Sequence, residues 1–113
     1  MRQITDITSD AKQKYDIILD DNSVVELTLE YIDSKQGWIF SVTRNDFTVN
    51  QRNLVVSPNV LRQFRNYIPF GLAVFSTDKL EPAFIDDFTN DRISLYILNE
   101  SDLDYLEDNI YVR

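Results

Sequence analysis

Hydrophobic and polar residues alternate most regularly between Ser23 and Thr43, and this pattern predicts two antiparallel β-strands. In each strand the apolar residues recur at every second position, which places them on one face of a sheet and the polar residues on the other. The segment 33–37 between the strands has the composition of a turn, in which we expect Gly37 to adopt a positive φ. The apolar face of this hairpin comprises Val25, Leu27, Leu29, Tyr31, Trp38, Phe40 and Val42.

Trp38 is the only tryptophan and directly follows the predicted turn. Its side chain is either a core anchor at the start of a strand or a partner-facing hot spot, because tryptophan is enriched at the centres of interfaces. We expect the core position.

Shorter apolar patterns predict further strands on both sides of the hairpin. Residues 1–12 form either a flexible N-terminal arm or a short first strand, and residues 20–22 suit a turn into the hairpin. In the last predicted strand, Leu95 faces the core and Tyr96 the opposite side. The additional strands are residues 13–19, 47–50, 54–56, 72–76 and 92–98, with 51–53 as a hairpin tip or a bulge.

One helix is predicted after the fifth strand. Ser57 can cap its first free amides, Pro58 fits its first position and Pro69 ends it. Apolar residues at helical spacing would pack on the sheet, with Arg62 and Arg65 on the exposed face. The packed residues are Val60, Leu61, Phe64 and Ile68.

Two segments have less regular patterns. Pro82 prevents a regular central strand in the excursion 80–90, whose Phe84, Ile85 and Phe88 we expect to pack onto the body. Residues 101–113 begin with a short helical turn that carries Leu103 and Leu106, and residues 110–112 form a last strand or a docking tail.

These elements predict a mainly β fold: an antiparallel curled sheet or small β-barrel of about six or seven strands, with one short packed helix. A chain of 113 residues with 43% hydrophobic residues is expected to form a single domain, residues 1–113. The predicted structural core includes Leu27, Leu29, Trp38, Phe40, Leu61, Phe64 and Leu95.

The amino-acid composition excludes more kinds of catalytic and metal-binding chemistry than any motif does. The chain has no Cys and no His, which removes thiol nucleophiles, the usual zinc ligands and the common general base near neutral pH. We therefore expect no enzyme activity, no cofactor and no metal site. The acidic residues late in the chain lack the EF-hand spacing and indicate a solvated surface. The net charge of −8 disfavours tight nucleic-acid binding, and the short apolar runs predict no membrane insertion.

Candidate interface residues are the helix-face cations Arg62 and Arg65 and the aromatic residues outside the core pattern, chiefly Tyr67 and Tyr96. The cations could dock onto an acidic partner, and aromatic side chains are enriched at interfaces. Ordinary solvation of the arginines and packing of the tyrosines are the alternatives. Tyr105 and Tyr111 are weaker candidates of the same kind.

The order of short motifs resembles a known family. The chain contains ELTLEY and then GW in the hairpin, LRQF and PFGL around the predicted helix, DDF in the excursion and RISLYI in the last strand. In this order, over about residues 16–98, the motifs resemble the baseplate plug proteins of contractile-tailed bacteriophages. Residues 102–113 extend beyond the resemblance and take no role from it.

The resemblance implies a non-enzymatic structural protein of a phage or prophage virion, located in the tail baseplate after assembly in the host cytoplasm. It implies tail hub, spike or other baseplate proteins as partners, homo-oligomers within the assembly, and a position on the hub axis that closes the tube. One alternative is a small β-barrel adaptor or inhibitor unrelated to tails. A carboxylate-dependent enzyme or sugar-binding domain is the other.

Overall fold

Two antiparallel β-sheets form the body of the molecule in a computed structural model that describes residues 1–110. A four-stranded sheet has the order β2-β3-β4-β5, and a three-stranded sheet has the order β1-β7-β6. The strands are β1 (Arg2–Gln3), β2 (Lys12–Ile18), β3 (Val24–Ile32), β4 (Gly37–Arg44), β5 (Phe47–Asn53), β6 (Gly71–Ser76) and β7 (Ile93–Leu98), followed by helix α1 (Glu100–Asn109).

The predicted mainly β class with a curled sheet is confirmed, whereas the barrel alternative is wrong because the two sheets do not close. The hairpin of β3 and β4 pairs the apolar positions directly, with Leu29 opposite Phe40 and Tyr31 opposite Trp38. Residues 2–3 pair with β7, so the N-terminal segment contains the short first strand.

The turn of the central hairpin differs from the prediction at one residue. Asp33–Lys35 form a 3₁₀ turn, and the left-handed residue is Gln36 with φ 49°, whose N–H donates to the Asp33 carbonyl. Gly37 has no positive φ because it already belongs to β4. The expectation for Gly37 is therefore wrong.

β5 is one strand with a bulge. The register with β4 shifts between Phe40 and Val42, and Gln51, at φ 48°, donates its N–H to Ser41 Oγ at 2.9 Å. The bulge alternative is confirmed at Gln51, whereas Arg52 and Asn53 pair regularly with Phe40 and Ile39. The separate strand predicted at residues 54–56 is wrong, although Leu54 is buried.

The helix predicted from Ser57 is also wrong, since only Arg62–Phe64 form a 3₁₀ turn there. Ser57 forms a β-bridge with Val74, so the segment runs beside β6. Asn59 then accepts the N–H groups of Leu61 and Leu72 through its side chain, at 2.9 and 3.2 Å. These bonds compete with helix formation.

The α-helix of the structure lies instead after β7. Asn99 caps it in a reciprocal capping box with Asp102, which extends the predicted helical turn to ten residues. Leu103 packs on Ala73 and Leu98 of the three-stranded sheet. Ile110 follows the helix and is not in a strand, and the remainder of the predicted C-terminal strand or tail lies outside the described residues.

The inner faces of both sheets share one hydrophobic core. Six of the seven predicted core residues are buried, and Phe64 is half-buried against the core. In the excursion 80–90, Phe88 is buried, but Phe84 and Ile85 are exposed, contrary to the prediction. Within residues 1–110 no helix is long and apolar enough to cross a membrane.

Candidate protein-interaction surface

A long segment of the chain carries no acidic residue. Residues 47–77 contain neither Asp nor Glu, although the chain has 19 of them, and this segment carries Arg52, Arg62 and Arg65. It begins with β5 and ends after β6, passing through the 3₁₀ turn Arg62–Phe64. Acidic residues are thus absent from this continuous stretch of the sequence, although Glu81, Asp104 and Glu107 contact it from other parts of the chain.

Four side chains of this segment contact one another in a series. Arg52 lies over the ring of Phe64 at 5.6 Å from the ring centroid. The Phe64 ring meets Phe47 edge to face at 5.8 Å, and Phe47 stacks on Tyr67 at 5.8 Å and 11°. We call these four residues, together with Arg62, the acid-free surface.

The exposure of the acid-free surface suits contact with a protein. Tyr67 is 70% exposed, Arg52 and Arg62 are exposed, and the two phenylalanines are half-buried. Stacking on Phe47 restrains Tyr67, so less side-chain entropy would be lost when a partner binds. Protein interfaces are enriched in Tyr, Phe and Arg and depleted in Asp, Glu and Lys, which is the composition found here.

Buried polar contacts hold the 3₁₀ turn in place. The Asn59 side chain is 5% exposed and bonds the backbone on both sides of the turn, at Leu61 and Leu72. A Cβ atom on Gly71 would lie 2.6 Å from Asn59 Oδ1. A larger residue at position 71 would therefore displace the Asn59 side chain. Leu61 and Ile68 anchor the turn in the core.

The four predicted interface residues do not form one group. Arg62 and Tyr67 belong to the acid-free surface, whereas Arg65 turns toward α1 and pairs with Asp104 at 3.0 Å and Glu107 at 2.9 Å. The acidic groups that Arg65 meets are thus in its own chain. Tyr96 is half-buried on the three-stranded sheet, edge to face with Phe75 at 5.4 Å.

Burial decides the role of Trp38 but not that of the exposed Tyr105. Trp38 is 2% exposed and its Nε1 donates to the Phe84 carbonyl at 3.0 Å, so it is a core anchor and the partner-facing alternative is wrong. Tyr105 is 62% exposed on α1, and Tyr111 lies outside the described residues. In residues 1–110 no group of three or more acidic side chains is arranged to hold a metal ion.

Arg52 and Phe47 were not predicted from the sequence as interface residues. Each belongs to a strand whose pattern indicates only structure, and their contacts with Phe64 and Tyr67 join residues separated by a bulge, a buried loop and a turn. The absence of acidic residues from 47–77 is the signal in the sequence that could have identified this surface.

The chain matches one protein family along most of its length. The family described as "Cyanophage baseplate Pam3 plug gp18" matches residues 1–100, which include all seven strands and end at the first residue of α1. No curated protein matches the chain. The match extends the resemblance indicated by the motifs to the N-terminus, and the chain belongs to this family of phage baseplate plugs.

Proposed function

We propose that this protein is a non-enzymatic structural plug that docks through its acid-free surface onto a hub, spike or other protein of the tail baseplate and closes the tube. Family membership supports the baseplate role. The observation that carries the docking assignment is the contact series from Arg52 to Tyr67 in a segment without acidic residues.

A plug needs a stiff body and a specific contact rather than reactive groups. The two sheets share one core, and Phe64 packs against it. Phe47 contacts Phe64, and Tyr67 stacks on Phe47. Truncating such an exposed aromatic residue at an interface typically weakens binding, because a few aromatic and arginine side chains contribute most of the affinity.

The experiment is a titration of labelled protein onto purified tails from which the plug is missing, taken from the phage that encodes the chain. Wild type is expected to bind, and Tyr67→Ala to bind at least tenfold more weakly. Tyr105→Ala is the matched control, since it removes a similarly exposed tyrosine from α1, beyond the family match. Equal binding of Tyr67→Ala and wild type would remove the docking assignment.

The net charge of −8 supports a second part of the proposal: the plug does not bind the phage DNA that passes through the tube. Proteins bind DNA nonspecifically by neutralising phosphates with Lys and Arg, which an acidic body disfavours. Gel-shift titration with double-stranded DNA is expected to show no shift at low salt. Tight and salt-sensitive binding would contradict this part.

A further inference from the structure

A second exposed surface lies on the excursion between β6 and β7. Leu80 is 64% exposed, Phe84 is 59% exposed and Ile85 is 38% exposed, so three large apolar side chains face solvent within six positions. Exposed apolar groups on a short segment mark candidate binding sites when the backbone is held in place. We call these three residues the apolar tip.

Arg92 holds the two ends of the tip together. Its guanidinium donates to the carbonyls of Leu80 at 3.2 Å and Glu81 at 2.9 Å, and it lies 5.8 Å from the centroid of the Phe84 ring. The same group pairs with Asp87, which is fully buried. The Leu80 carbonyl and the Phe84 ring therefore contact the same guanidinium.

The backbone beneath Phe84 is fixed from the core. Asp87 accepts the N–H groups of Ala83 and Phe84 at 2.7 and 2.8 Å. Tyr31 donates its hydroxyl to the Ala83 carbonyl, and Trp38 donates to the Phe84 carbonyl. A loop fixed in this way loses little backbone entropy on binding, which favours affinity.

We propose that the apolar tip is a second docking element, which inserts into an apolar pocket with a cationic rim on another baseplate protein. This inference rests on the proposed baseplate function. Charge supports the choice of partner: residues 78–92 contain five acidic residues against Lys79 and Arg92, and Asp86, which follows Ile85 directly, is exposed. Complementary charge around an apolar centre is a common arrangement in protein recognition.

A second copy of this chain is a poorer occupant. Two copies would each bring a net charge of −8 to the contact. In the cavity of about 420 Å³ beside the N-terminus of α1, four acidic residues (Asp20, Asp21, Glu100 and Asp102) outnumber Arg2 and the Met1 amino group, so an acidic loop would meet a net like charge there. The acid-free surface is already used by the proposed first contact.

The experiment uses the full chain and the same plug-deficient tails. Phe84→Ala and Leu80→Ala are each expected to weaken binding at least tenfold, while Tyr105→Ala, at a similar exposure, leaves binding unchanged. Asp86→Lys is expected to weaken binding and Asp108→Lys on α1 to have no effect. Thermal melting of each variant checks folding, because these side chains are exposed and their removal should leave the melting temperature unchanged.

A photoreactive phenylalanine analogue at position 84 identifies the occupant. The expected cross-link is to an apolar segment of another baseplate protein, with Lys or Arg beside it. If wild type binds and both Ala variants bind equally well, or if position 84 cross-links only to a second copy, the inference is overturned while the proposed function stands. If wild type does not bind the tails, both are overturned.

Discussion

Arg92 donates two hydrogen bonds to the carboxylate of Asp87, at 2.9 Å to Oδ1 and 2.8 Å to Oδ2, and the Asp87 side chain is fully buried. The two residues are five positions apart, on either side of the turn that leads into β7. Through this pair the loop that carries the apolar tip is joined to the core.

Removing Arg92 is expected to be strongly destabilising. Arg92→Met would leave the buried Asp87 carboxylate without its counter-ion, which typically costs about 3–5 kcal/mol of unfolding free energy. Arg65→Met is the control, because its partners Asp104 and Glu107 are partly exposed and such pairs contribute about 1 kcal/mol or less. Urea denaturation followed by circular dichroism measures both. Equal losses of unfolding free energy in the two variants would show that the Arg92–Asp87 pair stabilises the fold no more than the partly exposed pairs of Arg65.

The stability of the protein is expected to fall in acid because of Asp87. Burial raises the pKa of Asp87, but hydrogen bonds from Arg92 and from the Phe84 and Ala83 N–H groups outweigh burial and lower the pKa below its usual value. A carboxyl group with a lower pKa in the folded state binds fewer protons there than when unfolded. Its stabilisation is therefore complete above about pH 4 and is lost as the pH falls through the folded pKa.

Urea midpoints measured from pH 7 to pH 2.5 test this dependence. Asp87→Asn is expected to be less stable at pH 7 and to lose less stability in acid than wild type. Part of the acid dependence should remain, because hydrogen bonds from Ser23 and Ser76 lower the pKa values of Asp21 and Asp78 respectively. If Asp87→Asn loses as much stability in acid as wild type does, Asp87 is excluded as a source of that loss.

The Trp38 side chain is expected to stabilise the fold as a core anchor. It packs edge to face against Tyr31 at 5.4 Å and Phe88 at 5.2 Å, and it fixes the Phe84 carbonyl. Trp38→Ala should lower the unfolding free energy by roughly 3–5 kcal/mol. Trp38→Phe, which retains much of the volume, should lose less. Unchanged melting of Trp38→Ala would contradict the burial found here.

The two glycines are expected to respond differently to alanine. In Gly71→Ala the new Cβ would lie 2.6 Å from Asn59 Oδ1, and Asn59 cannot move without losing two backbone bonds, so a loss of about 1–3 kcal/mol is expected. In Gly37→Ala the nearest atom is 3.7 Å away and φ is not positive, so little change is expected. Thermal melting compares the pair, and equal effects would contradict the close approach at Gly71.

Period-two patterns predicted β3, β4 and β7 well, because one face of each strand is buried and a shift of one residue would expose that face. The helix predicted after Ser57 was wrong, although the apolar residues of this segment have helical spacing. Its backbone is held by Asn59 and by β6, which is thirteen residues away at Leu72. Tertiary contacts, which a local sequence pattern does not show, therefore overrode the helical spacing of this segment.

Only part of the candidate surface could be predicted from the sequence, again because tertiary contacts decide which residues lie together. Tyr67 and Arg62 could be selected by residue type, but Arg65 could not be separated from them without the position of α1. Phe84 was predicted to be buried because hydrophobicity alone favours burial. In the structure the Phe84 N–H is bonded to Asp87, while the ring lies over Arg92 and is 59% exposed.

The most direct test of the plug function is an electron cryomicroscopy reconstruction of the extended, uncontracted tail of the encoding phage. The protein is expected on the axis of the baseplate, closing the tube, with Arg62 and Tyr67 in contact with a neighbouring baseplate protein. A reconstruction that shows an open tube, or one in which this chain lies off the axis with Tyr67 in solvent, would contradict the account.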